Sequence, residues 1–209
     1  MELLKGVHVI ESMANCALLT ENRLILVDTT DNAQATDVLA YLEKRGLKPT
    51  DIESIVISHV HTDHVAGLAA LKNASDAEVA AHRIEAEFIS KRQVYPGGRV
   101  LPHSAVEVEV PLEDGDRYQE LTVIHTPGHT PGHIALLDEA HNLLIAGDSM
   151  RIEDGRVGPM SDTYNIDPAQ HRDSMKKIAG FAFEALIVGH GEPMTSGARD
   201  RLREAVAKL

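Results

Sequence analysis

Tryptophan is absent from this 209-residue chain, and aromatic residues of all kinds make up only 3%. A base-stacking platform for nucleic acid is therefore not expected. There is one cysteine, Cys16. It excludes an intramolecular disulfide framework and fits a reducing compartment, the cytoplasm. It reads as a small buried hydrophobe rather than a nucleophile. Positive charge is scarce: 20 Lys+Arg against 32 Asp+Glu leave −12 with histidine neutral. Without a concentrated basic run, such a chain suits neither phosphate backbones nor anionic lipid. No apolar stretch approaches the roughly 18 residues of a membrane span. The start, Met1-Glu-Leu-Leu-Lys-Gly, lacks the basic-then-apolar order of a signal peptide. Repeats and low-complexity linkers are also missing, so one domain over 1–209 is expected. Its partner is expected to be a small-molecule substrate, not nucleic acid or membrane, with a homodimer left open.

What the chain has in abundance is histidine, 12 residues, several of them clustered. The pattern around them predicts strands at 7–10, 16–19 and 24–27, then a helix over 33–45. In that helix Ala35, Val38, Leu39 and Leu42 recur at three- and four-residue spacing, with Asp31-Asn32 as cap and Gly46 as stop. Ile55-Val56-Ile57 is apolar on both pleat faces, as in a fully buried strand. A short helix at 65–71, a strand at 78–81 and a helix at 83–90 follow. Residues 91–104 read as a loop, and Val106, Val108 and Val110 alternate with glutamates like a half-exposed strand. Strands are expected at 121–126, 134–137, 143–146 and 186–188. A long loop is expected at 151–166, with helices from Pro168 to about 179 and over 196–209. Runs of strands with interspersed helices suggest sheets carrying helices on their outer faces.

The decisive stretch is Ser58-His59-Val60-His61-Thr62-Asp63-His64, opening where a buried strand ends. In extended backbone, residues two apart point the same way, so His59 and His61 can reach one ion together. Asp63 and His64 follow where the chain turns into a helix and can face a second ion. Three more candidates each follow an apolar strand: His129 in Thr126-Pro-Gly-His-Thr-Pro-Gly-His133, Asp148 in Ala146-Gly-Asp-Ser, and His190 in Val188-Gly-His-Gly. Small residues beside each let the backbone approach a crowded site. Five imidazoles and two carboxylates suit zinc, iron or manganese better than calcium or magnesium.

These motifs, with Leu24-Ile-Leu-Val-Asp28-Thr and Glu113-Asp-Gly-Asp116, resemble the metallo-β-lactamase-fold hydrolases, and within them the glyoxalase II-like branch. The resemblance covers nearly the whole chain. It implies an α+β fold, an αβ/βα four-layer sandwich of two mixed β-sheets face to face with helices outside. It also implies two divalent metal ions, zinc first, with iron or manganese as alternatives. Carried over, His59, His61 and His129 hold the first ion, Asp63, His64 and His190 the second, and Asp148 bridges both. Two divalent ions against two aspartates and one hydroxide leave about one positive charge, which draws a carbonyl oxygen. A bridging hydroxide is the expected nucleophile, with Asp63 in a secondary role orienting it or passing a proton. Asp28, placed by the resemblance under the metal loops, and His133 are expected to orient ligands rather than ligate. Where relatives often continue to glycine, this chain has Thr30. His8, His82, His141 and His171 read as surface or cap residues, His125 as a satisfied core or neighbouring histidine, and His103 as a candidate for the pocket border. Arg92, Arg99 and Arg151 read as solvated, with contact to an anionic substrate group left open.

Substrate is narrower ground. Asp148 argues against the zinc lactamases, which lack a bridging aspartate, and His61 against flavodiiron proteins, which have glutamate there. The −12 charge argues against nucleases of the superfamily. Only 19 residues follow His190, whereas glyoxalase II resembles a protein with a helical C-terminal extension for glutathione. Thioester hydrolysis leads, and lactone hydrolysis of the quorum-quenching type is second. Lactonases usually carry tyrosine just after the bridging aspartate, where this chain has Ser149-Met150-Arg151. Tyr164, in the expected loop, is then the candidate donor to a substrate carbonyl. A mononuclear-iron persulfide dioxygenase is the alternative of another class, and a metal- or partner-binding module without activity ranks last. Loops 91–104 and 151–166 are expected to shape the pocket.

Overall fold

Short apolar runs separated by polar turns dominate the first 30 residues, and they form adjacent strands of a sheet. The computed structural model describes residues 1–97 and 103–209. Its contacts divide into two units, Met1–Pro111 and Leu112–Leu209. Among the described residues, no helix is long and apolar enough to cross a membrane.

The first unit holds a seven-stranded sheet in sequence order: β1 (Glu2–Leu4), β2 (Val7–Ile10), β3 (Cys16–Leu19), β4 (Ile25–Val27), β5 (Ser54–Ile57), β6 (Glu78–His82) and β7 (Val110–Leu112). β1 to β4 pair antiparallel, and β4–β5 and β5–β6 pair parallel. Helix α1 (Thr36–Lys44) makes the first parallel crossover; α2 (Thr62–Val65) and α3 (Leu68–Ser75) make the second, and α4 (Arg83–Ile89) follows β6. β5 is buried at all four positions, as expected of a strand covered on both faces. Val38 and Leu42 of α1, and Leu68 and Leu71 of α3, pack with Leu26, Ile55 and Ile57 in one core cluster.

The second unit holds a five-stranded sheet in the order β14-β11-β10-β9-β8. These strands are β8 (Arg117–Tyr118), β9 (Leu121–His125), β10 (Ile134–Asp138), β11 (Leu143–Ile145) and β14 (Ala185–Ile187). β11 and β14 pair parallel and the rest antiparallel. A hairpin, β12 (Arg151–Glu153) with β13 (Arg156–Gly158), and helices α5 (Pro168–Ile178) and α6 (Ala198–Val206) complete the unit. Asp167 caps α5, accepting the Gln170 N–H. Met175 and Ile178 of α5 and Leu202 of α6 join Ile124, Leu144 and Leu186 in its core.

Four local expectations are corrected. The helix at 33–45 begins at Thr36, because Asn32 builds a turn instead of a cap: its Oδ1 accepts the Gln34 N–H, and Ala35 takes a left-handed φ of 51°. The helix at 65–71 is two helices, α2 starting earlier at Thr62, with Gly67 between them. Val106 and Val108 are buried on alternate positions as the pattern requires, yet the strand itself covers only Val110–Leu112. The long loop at 151–166 contains the β12–β13 hairpin and a 3-10 turn at Asp162–Tyr164. Its Asp154-Gly155 turn, with φ of 51° and 71°, is a two-residue hairpin signal that composition alone obscured.

Gly67 is required by close approach. A Cβ there would lie 2.4 Å from the Thr29 carbonyl oxygen and 3.0 Å from the Ala35 Cβ. Gly67→Ala is therefore expected to destabilise the chain by about 2 kcal/mol through overpacking. The melting temperature should fall by roughly 4–8 °C. Gly158→Ala, whose Cβ meets nothing within 4 Å, is the neutral control.

Candidate metal ligands

In the first unit the parallel pairing of β4, β5 and β6 brings their C-terminal ends to one sheet edge, where open α/β-type sheets hold ligands. Asp28 leaves β4 there, Ser58 to His64 leave β5, and His82 and Glu85 leave β6. Asp28, buried at 2% exposure, is the hub. Its Oδ1 accepts the Ser58 N–H (2.8 Å), and its Oδ2 accepts both the Ser58 hydroxyl (2.8 Å) and His64 Nδ1–H (2.8 Å). Because the Ser58 hydroxyl gives its proton to Asp28, it can only accept from His59 Nδ1, 3.0 Å away. The protons of both rings are thus fixed on Nδ1, and a neutral ring then carries its lone pair on Nε2. His59 and His64 are fully buried, with ring centroids 4.2 Å apart, and the His59 and His61 rings are 4.7 Å apart. Asp63, on the first turn of α2, has a carboxylate oxygen 3.9 Å from His64 Nε2.

The turn below this cluster is strained. Asp28 and Thr30 have φ of 63° and 70°. A β-branched residue in that region costs about 1–2 kcal/mol. Thr30 thus holds a left-handed backbone despite its branched side chain. The turn is locked by Thr29, whose N–H and hydroxyl both donate to the His64 carbonyl oxygen (2.8 and 2.9 Å).

Two residues of this unit were not singled out from the sequence. Glu85, fully buried on α4, accepts the Val60 N–H at 2.8 Å and so pins the residue between His59 and His61. Tyr95 has its hydroxyl 2.9 Å from His61 Nε2. Burial, with the Glu85 charge adding, pushes that phenol well above its ordinary range, so it stays protonated. Only the dense histidine cluster upstream hinted that its neighbours would be polar and buried. His103, 6% exposed, has Nε2 3.2 Å from the Ile89 carbonyl oxygen. Arg99 and the tip of the 91–104 loop lie outside the described residues.

In the second unit the candidates again leave one sheet edge. Ile145 and Ile187 are register partners on β11 and β14, and three residues further on stand Asp148 and His190. His129 follows β9 and His133 precedes β10. Asp148 is buried, and its Oδ2 lies 3.2 Å from His129 Nε2 and 3.4 Å from His190 Nε2. Asn165 Oδ1 accepts His129 Nδ1–H at 2.9 Å, while its amide donates to the Met160 carbonyl (3.4 Å). A neutral His129 therefore points a lone pair at a carboxylate oxygen. That approach is repulsive unless a proton or a metal cation lies between the two, and the donor set of imidazole nitrogens and a carboxylate fits a metal ion. His133 uses Nε2 to accept the Asp148 N–H (3.0 Å), which places its own proton on Nδ1 beside Thr126 Oγ1 (2.8 Å). Its nitrogens are thus engaged in holding the Asp148 backbone and the Thr126–Ser149 hydroxyl pair.

Tyr164 is 54% exposed in the 3-10 turn that leads into Asn165. His171 is fully buried, not a surface residue: Nε2 accepts the Met160 N–H, and burial lowers its pKa to about 4. His8 is buried as well, with its ring nitrogens on Tyr41 and Thr20. His82 caps α4, accepting the Ile84 N–H. His125 ends β9 with Nε2 3.0 Å from the Pro131 carbonyl oxygen, and His141 sits 2.6 Å from Asp138. Arg92 and Arg151 are held by surface carboxylates, Glu107 and Glu153.

The pattern that begins in β2 and ends at His190 is a family signature. The profile of the metallo-beta-lactamase superfamily matches residues 9–190, and the chain belongs to that superfamily of hydrolases. The α+β class with mixed sheets expected from the sequence is that of the family. Among similar proteins is the probable metallo-hydrolase YflN of Bacillus subtilis, 26% identical with 100% of this chain and 92% of that protein covered. Another is a hydroxyacylglutathione hydrolase of Aeromonas salmonicida, 30% identical over 80% of this chain and 56% of that protein. The chain thus spans little more than half of the latter. Among solved structures, TTHA1623 in a di-iron-bound form is 28% identical, with a TM-score of 0.73 over 94% of this chain and 97% of that one. A Cronobacter sakazakii metallo-beta-lactamase matches at a TM-score of 0.79 and 22% identity, with 100% of this chain and 90% of that one covered, a likeness of fold.

If Asp28 orients His59 and His64 as ligands, Asp28→Asn should weaken metal binding by about 10–100-fold. Competition against a chromophoric chelator measures this. Unchanged affinity would remove Asp28 from any such role.

Proposed function

We propose that this chain is a binuclear metal-dependent hydrolase of small carbonyl esters, thioesters first and lactones second. The single observation that carries the reading is the pair of orienting networks. Asp28 and Ser58 commit His59 and His64 to one donor nitrogen each. Asn165 and His133 do the same for His129 and for the backbone of Asp148. Both networks leave the lone pair of a neutral His59, His64 and His129 on Nε2, the form in which an imidazole binds a metal. In this reading His59, His61 and His129 would hold one ion, Asp63, His64 and His190 the other, and Asp148 would be shared between them. Zinc is the first choice, and the di-iron relative makes iron the second. Two divalent ions would supply Lewis acidity, acidifying a water near neutral pH and polarising a carbonyl.

The chain's own groups do the rest. Asp63, on a short helix and 22% exposed, would orient a water or accept its proton. Tyr164 offers a phenol O–H to the substrate carbonyl oxygen. The preference for thioesters draws on the hydroxyacylglutathione hydrolases, three of which are 30–36% identical to this chain. The substrate is a small molecule, and the buried thiol of Cys16 suits a cytoplasmic setting.

The test is a panel of thioesters, lactones, phosphodiesters and a glutathione persulfide, run on metal-reconstituted protein with metal stoichiometry measured on the same sample. Two metals per chain and ester cleavage without oxygen uptake are expected. One iron per chain with oxygen consumed on the persulfide would replace this reading by a dioxygenase.

Two substitutions sharpen it. Asp148→Asn or Asp148→Ala should lose metal and lower the rate by at least ~100-fold; full activity at unchanged metal content would refute the shared-ligand role. Tyr164→Phe should slow cleavage of every substrate turned over, and an unchanged rate on all of them would remove Tyr164 from the mechanism.

A further inference from the structure

His61 is the one histidine of the His59–His64 cluster whose orienting contact falls on Nε2 rather than Nδ1. That contact is Tyr95, 34 residues further along the chain. The phenol is 7% exposed, stands edge-on to His61 (ring centroids 5.6 Å, interplanar 85°) and packs edge-on against Phe88 of α4 (5.5 Å, 82°). Gly97 also lies against it. A Cβ at that position would come within 2.3 Å of the Tyr95 ring and 2.8 Å of its hydroxyl oxygen. The ring is thus held by Phe88, by His61 and by a backbone segment with no room for a side chain.

We propose that Tyr95 is a positioning residue that accepts the Nε2–H of His61, turning the ring so that His61 offers Nδ1 to a metal while His59 and His64 offer Nε2. The inference rests on the metal-centre reading above and adds a residue to it. A neutral imidazole has one lone pair, so engaging one nitrogen as a donor commits the other as the ligand. The two ligating modes differ in reach, because Nδ1 lies nearer the backbone than Nε2. Two histidines that leave the same extended stretch can then serve one ion from different depths. α4 and the segment behind it grip the stretch twice: Glu85 takes the Val60 N–H, and Tyr95 takes the His61 ring. Without the phenol the ring loses the acceptor that sets its tautomer.

The experiment has two arms on the full chain. First, long-range nitrogen–proton NMR of the metal-free protein reads the tautomer of His61: the Nε2–H form is expected in the wild type and a mixture in Tyr95→Phe. Second, zinc alone is titrated against a chromophoric chelator. Tyr95→Phe should weaken one of the two ions about 10–100-fold and spare the other, with an unchanged melting temperature. Gly97→Ala keeps the hydroxyl but displaces the ring, and should reproduce the loss. An Nδ1–H tautomer in the wild type would overturn the proposal. So would wild-type zinc affinity in Tyr95→Phe, while two zinc ions bound by the wild type left the metal reading standing. A wild-type chain that takes up no zinc would end that reading, and this proposal with it.

Discussion

A hydrogen bond to one nitrogen of a neutral histidine decides which nitrogen is left to meet a metal, and in this protein such bonds to His59, His64 and His129 come from groups that the fold itself fixes. Asp28 is the clearest case. Parallel pairing of β4 and β5 sets its carboxylate beside Ser58, and three hydrogen bonds then distribute protons over two imidazoles. Hydrogen bonds to charged groups contribute about 1.5–3 kcal/mol each. The arrangement therefore outweighs the about 1–2 kcal/mol of left-handed backbone at each of Asp28 and Thr30. Strain of this kind persists where surrounding structure over-determines it. Here the surrounding structure is Thr29 clamped to the His64 carbonyl and Gly67 packed on the Thr29 carbonyl.

The second unit solves the same problem with different chemistry. There the acceptor for His129 is a neutral amide, Asn165, and the orienting histidine, His133, acts on a backbone N–H rather than on a side chain. The result is a carboxylate oxygen of Asp148 set between two imidazole nitrogens, a geometry that calls for positive charge. In both units these side chains sit where strands end, so the rigidity of the sheet is transmitted to them through a few residues of chain.

Much of this was legible in the sequence. Buried strands read as short apolar runs, and the polar residues just past them read as ligands, because a loop at a strand end is where a fold can spare a residue from packing. The orienting residues were harder. Asp28 and His133 stood out only by their place in motifs. Asn165, Glu85 and Tyr95 carry no local signature, since each acts on a partner 25 or more residues away. Alternation misled at Val106 and Val108, where period-two burial occurs without a hydrogen-bonded ladder. Composition misled at 151–166, where glycine and proline suggested a loop and Asp154-Gly155 instead closes a hairpin. His8 and His171 show that a histidine's surroundings, not its residue type, decide its depth.

Cys16 carries a consequence of a different kind. It lies in β3, paired with Ile10 of β2 and with no exposed surface. Burial, with the nearby Asp28 charge adding, pushes its thiol well above the ordinary range. Only the thiolate is the reactive form of cysteine, so the folded chain shields its lone thiol from thiol-directed alkylating reagents. Labelling can proceed only when the strand leaves the sheet. The chain therefore contains its own reporter of opening in the first unit, read as the slow capture of a single thiol.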